Sequence, residues 1–352
     1  LLDDVFVGRL MSVVHLGDEL LGQSKWLGGA LGIDGCVYGI PGNAKGVLKV
    51  DPSSGEVSTF GGPFPGKNKW LRGGNGPDGA IYGIPACADR VLKIMPRTGE
   101  VSTIGPVFPG LWKWHGGVLG LDGNIYGIPA CAEFVLKIVP ETGEITTIGE
   151  PLKGGQKWYG GLLAGDNCIY GVPMNADSVL KIDPSDGSVS TIGCLPEGGM
   201  KWHGGVVGRD GNVYCIPSNS DHVLKIDVFK GEARTIGPPL LGGLHRTDGK
   251  YKYLGGVMGS DGAIYGMPAN AESVLRIVPE TEEVTTFGGP FSYPRSENKW
   301  QNGFLGGDGC IYGIPLRAEG VLRIHVPSLE VSTIGETLDG LDKWEGGVVA
   351  ED

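Results

Sequence analysis

The stretch that decides the fold reads Lys113-Trp114-His115-Gly116-Gly117, Asp122-Gly123, Ile125-Tyr126-Gly127-Ile128-Pro129, Val135-Leu136-Lys137-Ile138, Thr142-Gly143-Glu144, Ile145-Thr146-Thr147-Ile148-Gly149. It holds four short apolar runs rich in Val, Ile, Thr and aromatics, with turn residues between them and no run of helical period long enough for a helix. Asp122-Gly123 is the strongest of the short hairpin signals, because a type I′ turn needs positive φ at both central residues. Pro140-Glu141-Thr142-Gly143 marks a second turn, with Pro fixing φ and Gly accepting the left-handed region. The unit therefore reads as four antiparallel strands, a to d.

The same unit recurs along the chain. The pentapeptide at 125–129 has counterparts at 37–41, 81–85, 169–173, 213–217, 264–268 and 311–315, spaced by 44 residues four times and then by 51 and 47. Four antiparallel strands every 40–50 residues make a propeller blade, and the fold class is all-β. Strand a, Trp-x-Gly-Gly, suits the crowded axis, where backbones approach closely; strand d, with its polar alternation, suits the outer edge. The chain reads as one domain over residues 1–352, with full repeats across 25–335 and partial-blade remnants at 1–24 and 343–352. Val13-Val14-His15-Leu16-Gly17 has the spacing of a d strand and Asp4-Val5-Phe6-Val7 that of a degenerate c strand. Lys343-Trp344-Glu345-Gly346-Gly347 is an eighth strand a, and Asp352 stands at the Asp of its turn. Eight a and eight d strands favour eight blades, the last split between the termini and lacking its b strand, which suggests a longer or truncated chain. Seven blades is the alternative.

The pattern Gly-x-Asp-Gly-x-Ile-Tyr-Gly-Ile-Pro (120–129) followed by Val-Leu-Lys-Ile-x-Pro-x-Thr-Gly-Glu (135–144) resembles the blade of the NHL and virginiamycin B lyase-like propellers. The resemblance covers nearly the whole chain and implies the fold. Such propellers include lyases, lactonases and pure interaction modules, so it implies no activity. The lyase branch implies a metal-assisted His/Glu/His constellation at the channel mouth, and the residues here do not match it position by position.

Composition narrows the classes. A net charge of −11 argues against a nucleic-acid binder, which needs a basic face. Glycine interrupts every apolar run, so none reaches the ~20 residues of a membrane helix and no membrane insertion is expected. The seven cysteines fall mostly at repeat-equivalent positions (Cys36, Cys168 and Cys310; Cys87 and Cys131), a blade width apart and too far for disulfides. Free thiols, no Asn-x-Ser/Thr sequon and no signal peptide at Leu1-Leu2-Asp3-Asp4 favour a reducing intracellular compartment.

Two features recur around the ring and read first as architecture. Lysine precedes the aromatic at 25, 69, 113, 157, 201, 252, 299 and 343, while an acid recurs in the b–c loop at Asp89, Glu133, Asp177, Asp221, Glu272 and Glu319, with Lys45 the exception in the first blade. Both loops open on one face, so Lys–carboxylate pairs tying blades together are expected, with a charged ligand as the alternative. The aromatics Trp26, Trp70, Trp114, Trp158, Trp202, Tyr253, Trp300 and Trp344 read as packing between blades, with sugar stacking as the alternative.

Function is sought where copies differ. The residue after the aromatic is Leu27, Leu71, His115, Tyr159, His203, Leu254, Gln301 or Glu345. Facing the channel, His115, Tyr159, His203, Gln301 and Glu345 would form a polar arc. His115, His203 and Glu345 are weak metal candidates, since the two histidines stand two blades apart. The d–a loop over 238–251 is seven residues longer than its counterparts and carries His245, Arg246, Asp248 and Tyr251. The next adds three, with Tyr293 and Arg295. Insertions on one face often mark a binding side. No nucleophile elbow, Walker loop, Cys-x-x-Cys or His-Glu-x-x-His occurs, and no cofactor is expected. The leading expectation is a non-catalytic propeller that binds a protein or macromolecular partner through one face. The alternatives are a metal-dependent lyase or lactonase using the polar arc, and a carbohydrate-binding propeller using the Trp ring.

Overall fold

Each repeat folds as its turns dictate. In the third, strand a (Trp114–Leu119) turns at Asp122-Gly123 into b (Ile125–Pro129), followed by c (Val135–Val139) and d (Glu144–Ile148), all antiparallel. The structure, a computed structural model, describes residues 13–18, 20–241, 251–291, 297–340 and 342–350. Among these, seven such four-stranded sheets form, each in the order a-b-c-d, and no helix. No helix is therefore long and apolar enough to cross a membrane. Consecutive a strands touch one another, which puts a at the axis and d at the rim.

The hydrophobic core lies between blades. One cluster joins Tyr82, Ile84 and Val91 of the second blade to Trp114, Ile125, Leu136 and Ile138 of the third. Close approach is what the strand-a glycine pair permits: a Cβ on Gly73 would fall 2.7 Å from Ile40 Cδ1 of the preceding blade, and one on Gly117 2.8 Å from Ile84 Cδ1. The tryptophans fill the same layer. Trp70, Trp114, Trp158, Trp202 and Trp300 are buried, and each donates its indole N–H to a backbone carbonyl twenty residues on. Their faces are packed, which leaves no platform for a sugar; Trp344, 41% exposed, differs.

The lysines also tie blades together, but through other partners than expected. Lys113 Nζ donates to Ala86 O (3.1 Å) and Ala88 O (2.9 Å) of the preceding blade and to Gly110 O (2.9 Å). Lys69 and Lys157 repeat the pattern. Three carbonyls match the three donors of an ammonium, and the Lys–carboxylate expectation is corrected. Lys252 does form such a pair, 3.2 Å from Asp221.

The eight-blade expectation is also corrected to seven formed blades. Between the seventh and the first lie two segments that pair into no sheet. Val13 approaches Gly335, and Gly17 approaches Val57, repeating the contact by which Gly61 meets Val101 and Gly105 meets Ile145 between neighbouring d strands. At the axis, Gly347 lies against Phe304 and Val348 against Gly29. Strands a and d stand three strand spacings apart, about 14 Å, so without b and c between them these segments cannot share a ladder. Residues 4–7 and Asp352 lie outside the described residues. All seven cysteines are free thiols.

Candidate functional site

Every strand a carries a β-bulge after its aromatic. The bulge puts the second residue after the aromatic in the left-handed region: Gly28, Arg72, Gly116, Gly160, Gly204, Gly255 and Asn302, with φ between 58° and 99°. Glycine is the residue that accepts this backbone without penalty. Five copies comply. Arg72 (φ 59°) and Asn302 (φ 58°) do not.

The residue just after the aromatic does face the axis. Tyr159, His203, Leu254, Gln301 and Glu345 line one cavity of ≈ 460 Å³, together with Leu316 and with Met200, Tyr251, Asn298 and Asp342 from the d–a loops. The phenol of Tyr159 lies between two imidazoles, its ring centroid 3.8 Å from that of His115 and 3.8 Å from that of His203, with interplanar angles of 39° and 38°. The polar arc therefore converges. Of the inserted loop, Tyr251 reaches the cavity, whereas His245, Arg246 and Asp248, like Tyr293 and Arg295, lie outside the described residues.

Arg72 is the residue that sequence reasoning missed. Its guanidinium carbon sits 5.3 Å from the Tyr159 centroid, a cation–π geometry. Its side chain crosses the bare glycines of the next two blades: a Cβ on Gly116 would fall 3.2 Å from Arg72 Cδ, and one on Gly160 3.2 Å from an Arg72 terminal nitrogen. The signal was a break in the Trp-x-Gly-Gly repeat, which the second and seventh copies violate at the first glycine. Asn302 donates to the backbone carbonyl of Glu345 (2.6 Å) and so ties the C-terminal segment to the seventh blade.

Burial, reinforced by the Arg72 charge, holds His203 down at about 3 and His115 well below the usual imidazole range. Both are neutral near pH 7, and the Nδ1 of each is buried without a hydrogen-bond partner. Burial pushes the Tyr159 phenol up, and partial desolvation, with Asp342 nearby, raises Glu345. The histidines sit on opposite faces of Tyr159 and do not converge on one ion. No group of three His, Cys, Asp or Glu suited to a metal occurs among the described residues.

A family model described as a repeat of unknown function (DUF6923) matches residues 161–326. No curated protein matches the sequence. Among solved structures, the chain is similar to a streptogramin B lyase at 19% identity and a TM-score of 0.62, over 83% of this chain and 91% of that one. It is similar to virginiamycin B lyase from Staphylococcus aureus at 15% identity and a TM-score of 0.62, over 83% and 92%. It is also similar to the hydrazine synthase of Kuenenia stuttgartiensis at 14% identity and a TM-score of 0.57, over 93% and 100%. Likeness at these identities is of fold. The chain is a β-propeller, similar in fold to these lyases.

Proposed function

We propose that the chain is a non-catalytic binding propeller that presents its loop face, the one formed by the d–a and b–c connections, to a protein partner with a basic surface. The observation that carries this reading is the fate of the two charge rings. With Lys69, Lys113 and Lys157 engaged by backbone carbonyls, Asp89, Glu133 and Asp177 form no ion pair among the described residues, and they and Glu319 are exposed on that face. One d–a loop adds an apolar anchor in Val107, Leu111 and Trp112, which are 56%, 67% and 40% exposed; such aromatics are favoured at interface hot spots. Opposite charge steers encounter and selects partners.

The lyase or lactonase alternative has the structural likeness in its favour, but no convergent metal set occurs among the described residues. The carbohydrate alternative lacks an open aromatic ring.

The test replaces Asp89, Glu133, Asp177 and Glu319 with their amides and compares proteins captured by this variant and by the parent over a salt series. A partner held by the parent, released by salt and lost from the variant supports the reading. A partner held equally by both at every salt concentration overturns it.

A further inference from the structure

We propose that Arg72 and the open glycine ledge at Gly204 form an axial site for the carboxylate of a small molecule, separate from the partner surface and not dependent on it. The second residue after each aromatic forms a ring around the axis. Arg72 covers its Gly116 and Gly160 positions and brings its guanidinium to Gly160. Asn302 lies against Gly255 further round. Between them, a Cβ on Gly204 would meet nothing nearer than Gly255 Cα at 3.7 Å. This leaves an open stretch of ledge flanked by a guanidinium and a carboxamide, next in the chain to His203, which with Tyr159 lines the axial cavity.

Three observations point to a ligand there. Arg72 adopts a backbone conformation that costs an ordinary residue stability and that five sister blades assign to glycine. Among the described residues no carboxylate forms an ion pair with Arg72, so its fork of donors is engaged by the Tyr159 ring face and not by an anion. His203, 6% exposed, and His115 each keep a buried Nδ1 without a partner. Buried polar atoms left unpaired call for an explanation outside stability.

Charge selects the class. One guanidinium balances one negative charge, and the neutral histidines add none. Glu345 and Asp342 border the same cavity, and exposed acids ring the face around it. Phosphates and other multiply charged anions are repelled, whereas a single planar carboxylate fits the fork of Arg72. An attached aromatic or amide group would meet Tyr159 and Gln301.

The test titrates acetate, benzoate and inorganic phosphate into the full chain and follows the imidazole NMR signals of His115 and His203. The parent should show saturable shifts with the carboxylates, larger affinity for benzoate than acetate, and weaker binding of phosphate. Arg72→Gly should weaken carboxylate binding by about ten-fold or more, the loss of a charge-assisted bidentate contact, without lowering Tm, since glycine is the residue this backbone suits. Arg72→Lys keeps the charge but loses the fork, and should bind with intermediate affinity. Absence of saturable shifts in the parent, phosphate binding tighter than carboxylate, or equal affinity in Arg72→Gly would each overturn the proposal.

Discussion

The guanidinium of Arg72 lies over the ring of Tyr159, two blades away, with 5.3 Å between the guanidinium carbon and the ring centroid. This places a permanent cation beside two buried imidazoles and fixes how they titrate. Burial first, and then Arg72, holds His203 down at about 3, against about 6.5 in an unfolded chain. Below pH 6.5 the unfolded state binds protons that the folded state refuses, so stability falls as pH drops from 6.5 toward 3. His115 acts in the same direction. The turn carboxylates Asp34, Asp78 and Asp166, which accept from Tyr38, Tyr82 and Tyr170, are held below 3.8 and take effect at lower pH. Denaturant titrations between pH 4.5 and 7 should show stability rising with pH, and replacing both histidines with phenylalanine should flatten that slope. An unchanged slope in the double variant would refute the assignment.

Lys113 should matter far more than the acid opposite it. Lys113→Met leaves the carbonyls of Ala86, Ala88 and Gly110 without their ammonium donor and should cost about 3 kcal/mol. Asp89→Asn removes an exposed charge and should cost less than about 1 kcal/mol. Paired chemical denaturation curves decide between a backbone clamp and an ion pair, since an ion pair would make the two losses similar.

The contrast between those two residues shows what sequence can convey. Repeat length, turn residues and period-2 strands sufficed for the blade, because hairpin chemistry is local. The partner of a buried lysine is set by which carbonyls the neighbouring blade brings within 3 Å, and that is a matter of packing. The polar arc was legible because one position differed among copies on a strand whose direction was known. Arg72 was hidden because its importance depends on the bulge, which turns the next residue left-handed and swings its side chain across two blades. The blade count failed for a related reason. Strand-like segments can be tallied from sequence, but a sheet needs an unbroken ladder between them.

Metal removal should leave the protein unchanged. His115 and His203 are held apart by the Tyr159 ring between them, so they cannot both approach within the ~2.0–2.1 Å of a zinc-like ion. Ligands that bind only the folded state raise Tm. Melting in excess Mg²⁺ or Zn²⁺ and in chelator should therefore coincide. A metal-dependent rise in Tm that His115→Ala abolishes would contradict this geometry.

Two adjacent glycines in the second blade should respond in opposite ways. Both Gly73 and Gly74 sit in strand a (Trp70–Asn75), and neither has positive φ, so backbone strain does not enter. A Cβ on Gly73 points between blades and falls 2.7 Å from Ile40 Cδ1 and 2.8 Å from Ile40 Cγ1, inside a layer whose Ile40 side chain is fully buried. Relief requires Ile40 to leave its rotamer or the two blades to part, and overpacking of this kind costs about 1–3 kcal/mol. A Cβ on Gly74 meets nothing within 4 Å. Alanine there lowers the entropy of the unfolded chain at no steric penalty and should stabilise by about 0.4–1 kcal/mol. Gly73→Ala should thus lower the denaturation midpoint and Gly74→Ala raise it. If both lowered it equally, blade contact at the axis would not be what the paired glycines serve.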